Sequence, residues 1–114
     1  MRSWDISTVD VQAHSPAVLD SEQEGRAILI HLPAGERLRE HQVHERAWLL
    51  VVSGSIEIED SGGDSTTGGA GLLAVFDPNE RREVRADEDS RILLLLSPWP
   101  GEGHYRGGDA PRGG

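Results

Sequence analysis

The sequence predicts an all-β domain, a sandwich or a small barrel. Three observations carry this. The apolar runs are short and punctuated by Gly, Pro, Asp and Ser. No segment sustains a helical period behind a cap. Residues 55–60 (SIEIED) alternate strictly, with Ile56 and Ile58 on one side and Glu57 and Glu59 on the other.

The elements follow in order. Residues 1–20 are sparse, but Val9, Val11, Val18 and Leu19 can supply one or two edge strands. Residues 27–32 (AILIHL) are apolar on both sides, so they need cover on both faces or a subunit contact. Pro33-Ala34-Gly35 ends that strand, and residues 37–41 alternate weakly. Residues 47–52 (AWLLVV) are again apolar on both sides, and Ser53-Gly54 predicts a hairpin joining them to 55–60. Residues 61–71, rich in Gly, Ser and Thr, read as a long flexible connection. A strand is expected over 72–76, a turn at Asp77-Pro78-Asn79, a short strand over 82–86, and a last core strand over 91–97. Pro98-Trp99-Pro100 leaves the sheet, because each proline removes a ladder donor. The expected organisation is one domain over 1–100 and a glycine-rich, disordered tail over 101–114.

Composition removes several kinds of chemistry. The chain of 114 residues has no cysteine, so disulfides, thiolate metal sites and a cysteine nucleophile are excluded. Every basic side chain among the 11 is arginine, which also excludes Schiff-base chemistry and a P-loop lysine. A net charge of −9 repels phosphate backbones, so nucleic acid is not an expected partner. The apolar runs are far shorter than the roughly 20 residues that span a bilayer. No apolar stretch follows the single arginine at the N-terminus, so the expected compartment is the cytoplasm, with no membrane partner. There is no Gly-x-Ser-x-Gly elbow, and the glycines after Ser61 lack the strand-to-helix setting of a nucleotide loop.

Residues 35–54 read GERLREHQVHERAWLLVVSG. This resembles the first sequence motif of the cupin superfamily: a Gly, five residues, His-x-His, three or four residues, Glu, six residues, Gly. Gly35 and Gly54 fall on the flanking glycines and His41 on the first histidine. Val43 stands where the second histidine would be, and Ala47 where the glutamate would be. Residues 71–84 resemble the second motif, which runs from a Gly through a Pro to a His. Pro78 fits its turn, and the histidine position falls on Arg82 or Glu83. The resemblance spans residues 27–97. It implies a small jelly-roll β-barrel, often dimeric, with a ligand pocket inside.

His-x-His works on a strand because residues two apart share a face and can share a metal. Here the spacing is His41-Gln42-Val43-His44, so a β-bulge between the histidines is needed to bring both to one face. Glu83, Glu40 or His31 could complete the set. Two histidines and a carboxylate suit iron, manganese, zinc or nickel. The plainer reading makes His41 a pocket-lining polar residue, with no cofactor. Arg82, if it points inward, offers a fixed positive charge to a carboxylate or phosphate, or equally pairs with Glu40 or Glu83 as an internal ion pair. The run Arg81, Arg82, Glu83 and Arg85 favours a solvent-facing strand instead.

Two-residue alternation places Ala47, Leu49 and Val51 inside and Trp48, Leu50 and Val52 outside. Such an outer row is an apolar patch that a soluble monomer rarely shows, so a homodimer is expected, with Trp99 covering a barrel end or reaching the partner. Three readings of function follow. The first is a barrel that binds a small molecule with its usual metal site lost. His41, Val43, Ala47, Leu49 and Val51 form one wall, Phe76 and Arg82 face them, and His41 is available as an acid or base. The second is a metal-dependent oxygenase or isomerase using His41, His44 and a carboxylate such as Glu83. The third is a dimeric structural module with a filled interior.

Overall fold

The computed structural model describes residues 1–42 and 45–97, with the backbone only for 39–42. Its regular elements are nine strands: β1 Ala17–Glu22, β2 Gly25–Leu32, β3 Arg37–Gln42, β4 Arg46–Ser53, β5 Ser55–Asp60, β6 Ser65–Gly69, β7 Leu73–Phe76, β8 Arg81–Ala86 and β9 Ser90–Ser97. They form two antiparallel sheets, one ordered β1-β2-β9-β4-β7 and the other β3-β8-β5-β6. The core lies between them. Ile30, Leu32, Leu49, Val51, Ile92 and Leu94 come from the first sheet, and Ile56, Ile58, Val84 and Ala86 from the second.

The sheets differ in composition because they differ in what covers their outer faces. In the second sheet, inward residues alternate with charged ones. Outside, Arg85 pairs with Glu57 at 2.6 Å and Arg37 with Glu83 at 3.0 Å. Water covers that face at little cost. The central strands of the first sheet, β2, β4 and β9, are apolar on both sides.

This difference explains one departure from the sequence reading. β4 and β5 are not a hairpin. β4 pairs with β9 and β7, while β5 pairs with β8 and β6, so the chain changes sheets at Ser53-Gly54. The doubly apolar strand joins the sheet that can cover it, and the alternating strand joins the sheet that meets water. The crossing is tight. Gly54 has a φ of +90°, and a Cβ there would collide with Ser90 Oγ and the Asp89 carbonyl. Ser90, 1% exposed, holds the corner: its hydroxyl accepts from Ser55 N at 3.1 Å and donates to Glu88 O at 2.7 Å.

One further departure matters. The connection 61–71 contains β6, which pairs with β5 from Ser55↔Gly69 to Glu59↔Ser65. Its Ser, Thr and Gly residues give a period-two reading nothing to detect, yet the backbone ladder forms. β3 carries a β-bulge between Leu38 and His41, where three residues on β3 span two on β8. The bulge required between His41 and His44 lies outside the described residues. The expected turn at 77–79 forms after β7: Glu80 N donates to Asp77 O at 3.0 Å, and Asn79 has φ +67°. The tail over 101–114 and the Pro98-Trp99-Pro100 exit lie outside the described residues. Among the described residues no helix is long and apolar enough to cross a membrane.

Gly54→Ala should lower stability by more than about 1 kcal/mol in chemical denaturation, since both φ and space forbid the methyl. Gly62→Ala, on an exposed turn where the nearest contact is 3.4 Å, should stay within about 0.5 kcal/mol of the parent. Equal costs at the two sites would contradict the tight crossing.

Candidate functional site

One end of the barrel is formed by the start of β8, the end of β7 and the end of β9. On the inner face of the first sheet, Phe76, Ala47 and Leu96 make one row across β7, β4 and β9. Arg26 stands opposite Leu96 on β2, and its guanidinium reaches Glu45 at 2.5 Å. Across from this row, on the second sheet, lies Arg82.

Arg82 faces inward, which corrects the solvent-facing reading of β8. Its phase is fixed by the core: Val84 and Ala86, two and four residues on, are each 1% exposed, so residue 82 must share their side. Arg81, Glu83 and Arg85 take the other side. Arg82 is 3% exposed, and its guanidinium carbon lies 4.7 Å from the centre of the Phe76 ring. Its Nη1 is buried without a hydrogen-bond partner. Burial pushes its pKa below the usual guanidinium value, with the Glu80 charge opposing that shift. The Glu80 carboxylate is engaged elsewhere, accepting from Asp77 N at 3.0 Å across the β7–β8 turn.

A cation–π contact contributes about 0.5–2 kcal/mol. An unpartnered buried donor costs about 1–3 kcal/mol, and desolvating a charge costs several more. Phe76 therefore does not offset the burial of Arg82. An oxyanion seated against Nη1 would supply the missing acceptor.

The other residues singled out by the sequence fall as follows. His41 is placed by its backbone directly opposite Arg82 in the β3–β8 register. Val43, His44 and Trp99 lie outside the described residues. Ala47, Leu49 and Val51 face the interior, as alternation requires, and Ala47 sits in the row nearest Arg82. Leu49 and Val51 lie deeper, packed in the core. Glu83 is on the outer face, paired with Arg37, and does not meet Arg82. His31 also faces outward, with Nε2 at 3.0 Å from Asp89.

A separate cavity of about 780 Å³ opens at the opposite end, over Ile30, Leu32 and Leu38. Its polar rim groups are paired: His14 with Glu36 at 3.1 Å, His31 with Asp89, and Arg37 with Glu83. Nothing in the sequence signals this cavity, because the turn that brings His14 to it has no apolar pattern. Arg82, by contrast, shares its parity with Val84 and Ala86, and that signal was there to be read.

The two-sheet architecture has clear parallels among solved structures. An RmlC-like cupin protein from Desulfovibrio desulfuricans superposes with a TM-score of 0.75 at 18% identity, over 86% of this chain and 97% of that one. A cupin superfamily protein from Desulfitobacterium hafniense gives 0.74 at 10% identity, over 83% and 88%. The Cnp3 cupin domain of Schizosaccharomyces pombe gives 0.75 at 15% identity, over 85% and 74%. The chain has the cupin fold. No family model and no curated protein matches its sequence.

The cupin fold raises the question of its usual metal, and the described donors do not fit one. Position 47 is an alanine, 0% exposed, and position 82 places a cation opposite His41. Glu83 points away. Among the described residues no three His, Asp or Glu side chains converge on a point. What this end offers is a buried cation against an aromatic ring.

Arg82→Leu should keep the fold and raise stability by about 1–4 kcal/mol, since an apolar side chain of similar volume removes the desolvation cost. Phe76→Ala should lower it by about 3–5 kcal/mol. Thermal unfolding of both variants checks this. A clear loss of stability in Arg82→Leu would mean that the guanidinium is satisfied within the fold.

Proposed function

We propose that this protein binds a small oxyanion-bearing molecule, a carboxylate or phosphate, at the Arg82 end of the barrel. The observation that carries the reading is the buried, unpartnered Nη1 of Arg82. A guanidinium offers two parallel donors to a planar carboxylate, and a dry setting strengthens each bond. Phe76 holds the guanidinium in place and presents an apolar surface to the body of the ligand. His41 is opposite Arg82 in the backbone register, and that supports a role for it beside the same ligand.

The test is a thermal-shift and calorimetric screen at low ionic strength, using acetate, benzoate, short dicarboxylates and inorganic phosphate. Elemental mass spectrometry of protein purified without chelator accompanies it. A ligand at about 100 times its Kd stabilises by about 2.7 kcal/mol, which moves the melting temperature by many degrees in a domain this small. The wild type should respond to at least one anion. Arg82→Leu should abolish the response, and Arg82→Lys should weaken binding more than about tenfold, because a lysine keeps the charge but loses the fork. Acetate and phosphate responses separate the two anion classes. Anion shifts equal in wild type and Arg82→Leu would overturn the proposal. So would near-stoichiometric iron, manganese, zinc or nickel lost on His41→Ala, which would favour a metal-dependent enzyme.

A further inference from the structure

The outer face of the first sheet is half covered. At one end the N-terminal segment crosses it. Arg91 Nη1 donates to the carbonyls of Val9 at 2.6 Å and Ile6 at 3.2 Å, Val11 is buried, and Leu29 beneath is 0% exposed. At the other end a groove of about 610 Å³ stays open over Ala27, Trp48 and Leu95. Leu95 is 41% exposed, although β9 is the central strand of its sheet. The floor of the groove is apolar. Asp20, Glu22 and Glu24 stand along it and make that rim acidic.

Three observations bear on what covers it. The first is where the described chain stops. Ser97 lines the groove, so the 17 residues that follow start at its edge. Leu95 and Ser97 share the outer parity of β9, and Trp99 is the next residue in that series. The second is the chemistry of the segment. Trp99 and Tyr105 are its aromatic residues, and Pro100-Gly101 between them is a turn dipeptide. The four residues from Gly101 to Tyr105 reach about 13 Å when extended, enough to cross the roughly 10 Å from β4 to β2. The third is charge. Arg106 follows Tyr105, and the rim already accepts one guanidinium: Arg2 Nη1 lies 2.7 Å from Asp20 and Nη2 3.8 Å from Glu22. Glu24 pairs with nothing among the described residues. Residues 98–114 hold two arginines and two acids, so residues 1–97 bear the full −9. A second copy would bring its own acidic rim to the groove, whereas this segment brings an arginine.

We infer that residues 99–106 fold back into the groove of their own chain. The Trp99 and Tyr105 rings cover Ala27, Trp48 and Leu95, and Arg106 meets Glu22 and Glu24. Residues 107–114, four of them glycine, lie beyond the groove. A tether this short holds the segment at about millimolar effective concentration, so an intrinsic Kd of about 0.1 mM closes the groove roughly ten to one. The inference is independent of the anion site.

Trypsin tests it on the full chain, because the segment offers one arginine inside the contact, Arg106, and one outside, Arg112. Cleavage at each is followed in time by mass spectrometry. The rate at Arg106 tracks the fraction of molecules with the groove open, so Trp99→Ser should raise it about tenfold. The rate at Arg112 should not change. Glu22→Gln with Glu24→Gln should also speed cleavage at Arg106, as should added salt, which screens the acidic rim. Arg82→Leu should leave it unaltered, which separates this contact from the anion site. Protection should not depend on protein concentration, because the contact is within one chain. Equal rates at Arg106 in wild type and Trp99→Ser overturn the inference. So does protection that fades on dilution, which would mean that a second copy covers the groove.

Discussion

β9 pairs along its length with β2 on one side and β4 on the other, and the rest of the fold answers to that position. Its run of leucines gives it no polar face. Ile92, Leu94 and Leu96 turn inward, Leu93 and Leu95 outward, so a sheet centred on it must be covered twice. The second sheet supplies the inner cover. The N-terminal strap supplies part of the outer cover, anchored by Arg91 from β9 itself. The change of sheet at Gly54 follows as well, because it frees β5 to cover the core while β4 stays beside β9.

How much of this was legible depends on whether a residue's fate is set by its neighbours in sequence or by contacts across the fold. The strict alternation of β5 and the double apolarity of β2 and β4 are local signals, and each element formed where they appeared. So did the turn over 77–79, closed between Glu80 N and Asp77 O. The pairing of β4 was not legible, because a Ser-Gly step reads as a hairpin whether or not the flanking strands share a sheet. β6 was hidden by side chains that carry no period; its Gly68 has no Cβ because Leu72 packs within about 3 Å of where one would stand. Arg82 was obscured by its charged neighbours, although the core residues at 84 and 86 had already set its direction.

The structural parallels fix the architecture and stop there, since a fold of this kind serves many chemistries. What distinguishes this chain is written at single positions on the shared frame. At one end of that frame a buried alanine, Ala47, and a buried arginine, Arg82, face the interior. The bulge on β3 sits before His41, setting residue 41 opposite that arginine. Among the described residues the polar rim groups at the other end lie in pairs, whereas Nη1 of Arg82 is a buried donor without a partner, and that is the mismatch.

That mismatch has a physiological side. A guanidinium does not exchange with the medium, cannot be stripped by a chelator, and has a single oxidation state. The charge that Arg82 brings to this end of the barrel is therefore the same whether metal ions are scarce or abundant, and under oxidising conditions as under reducing ones.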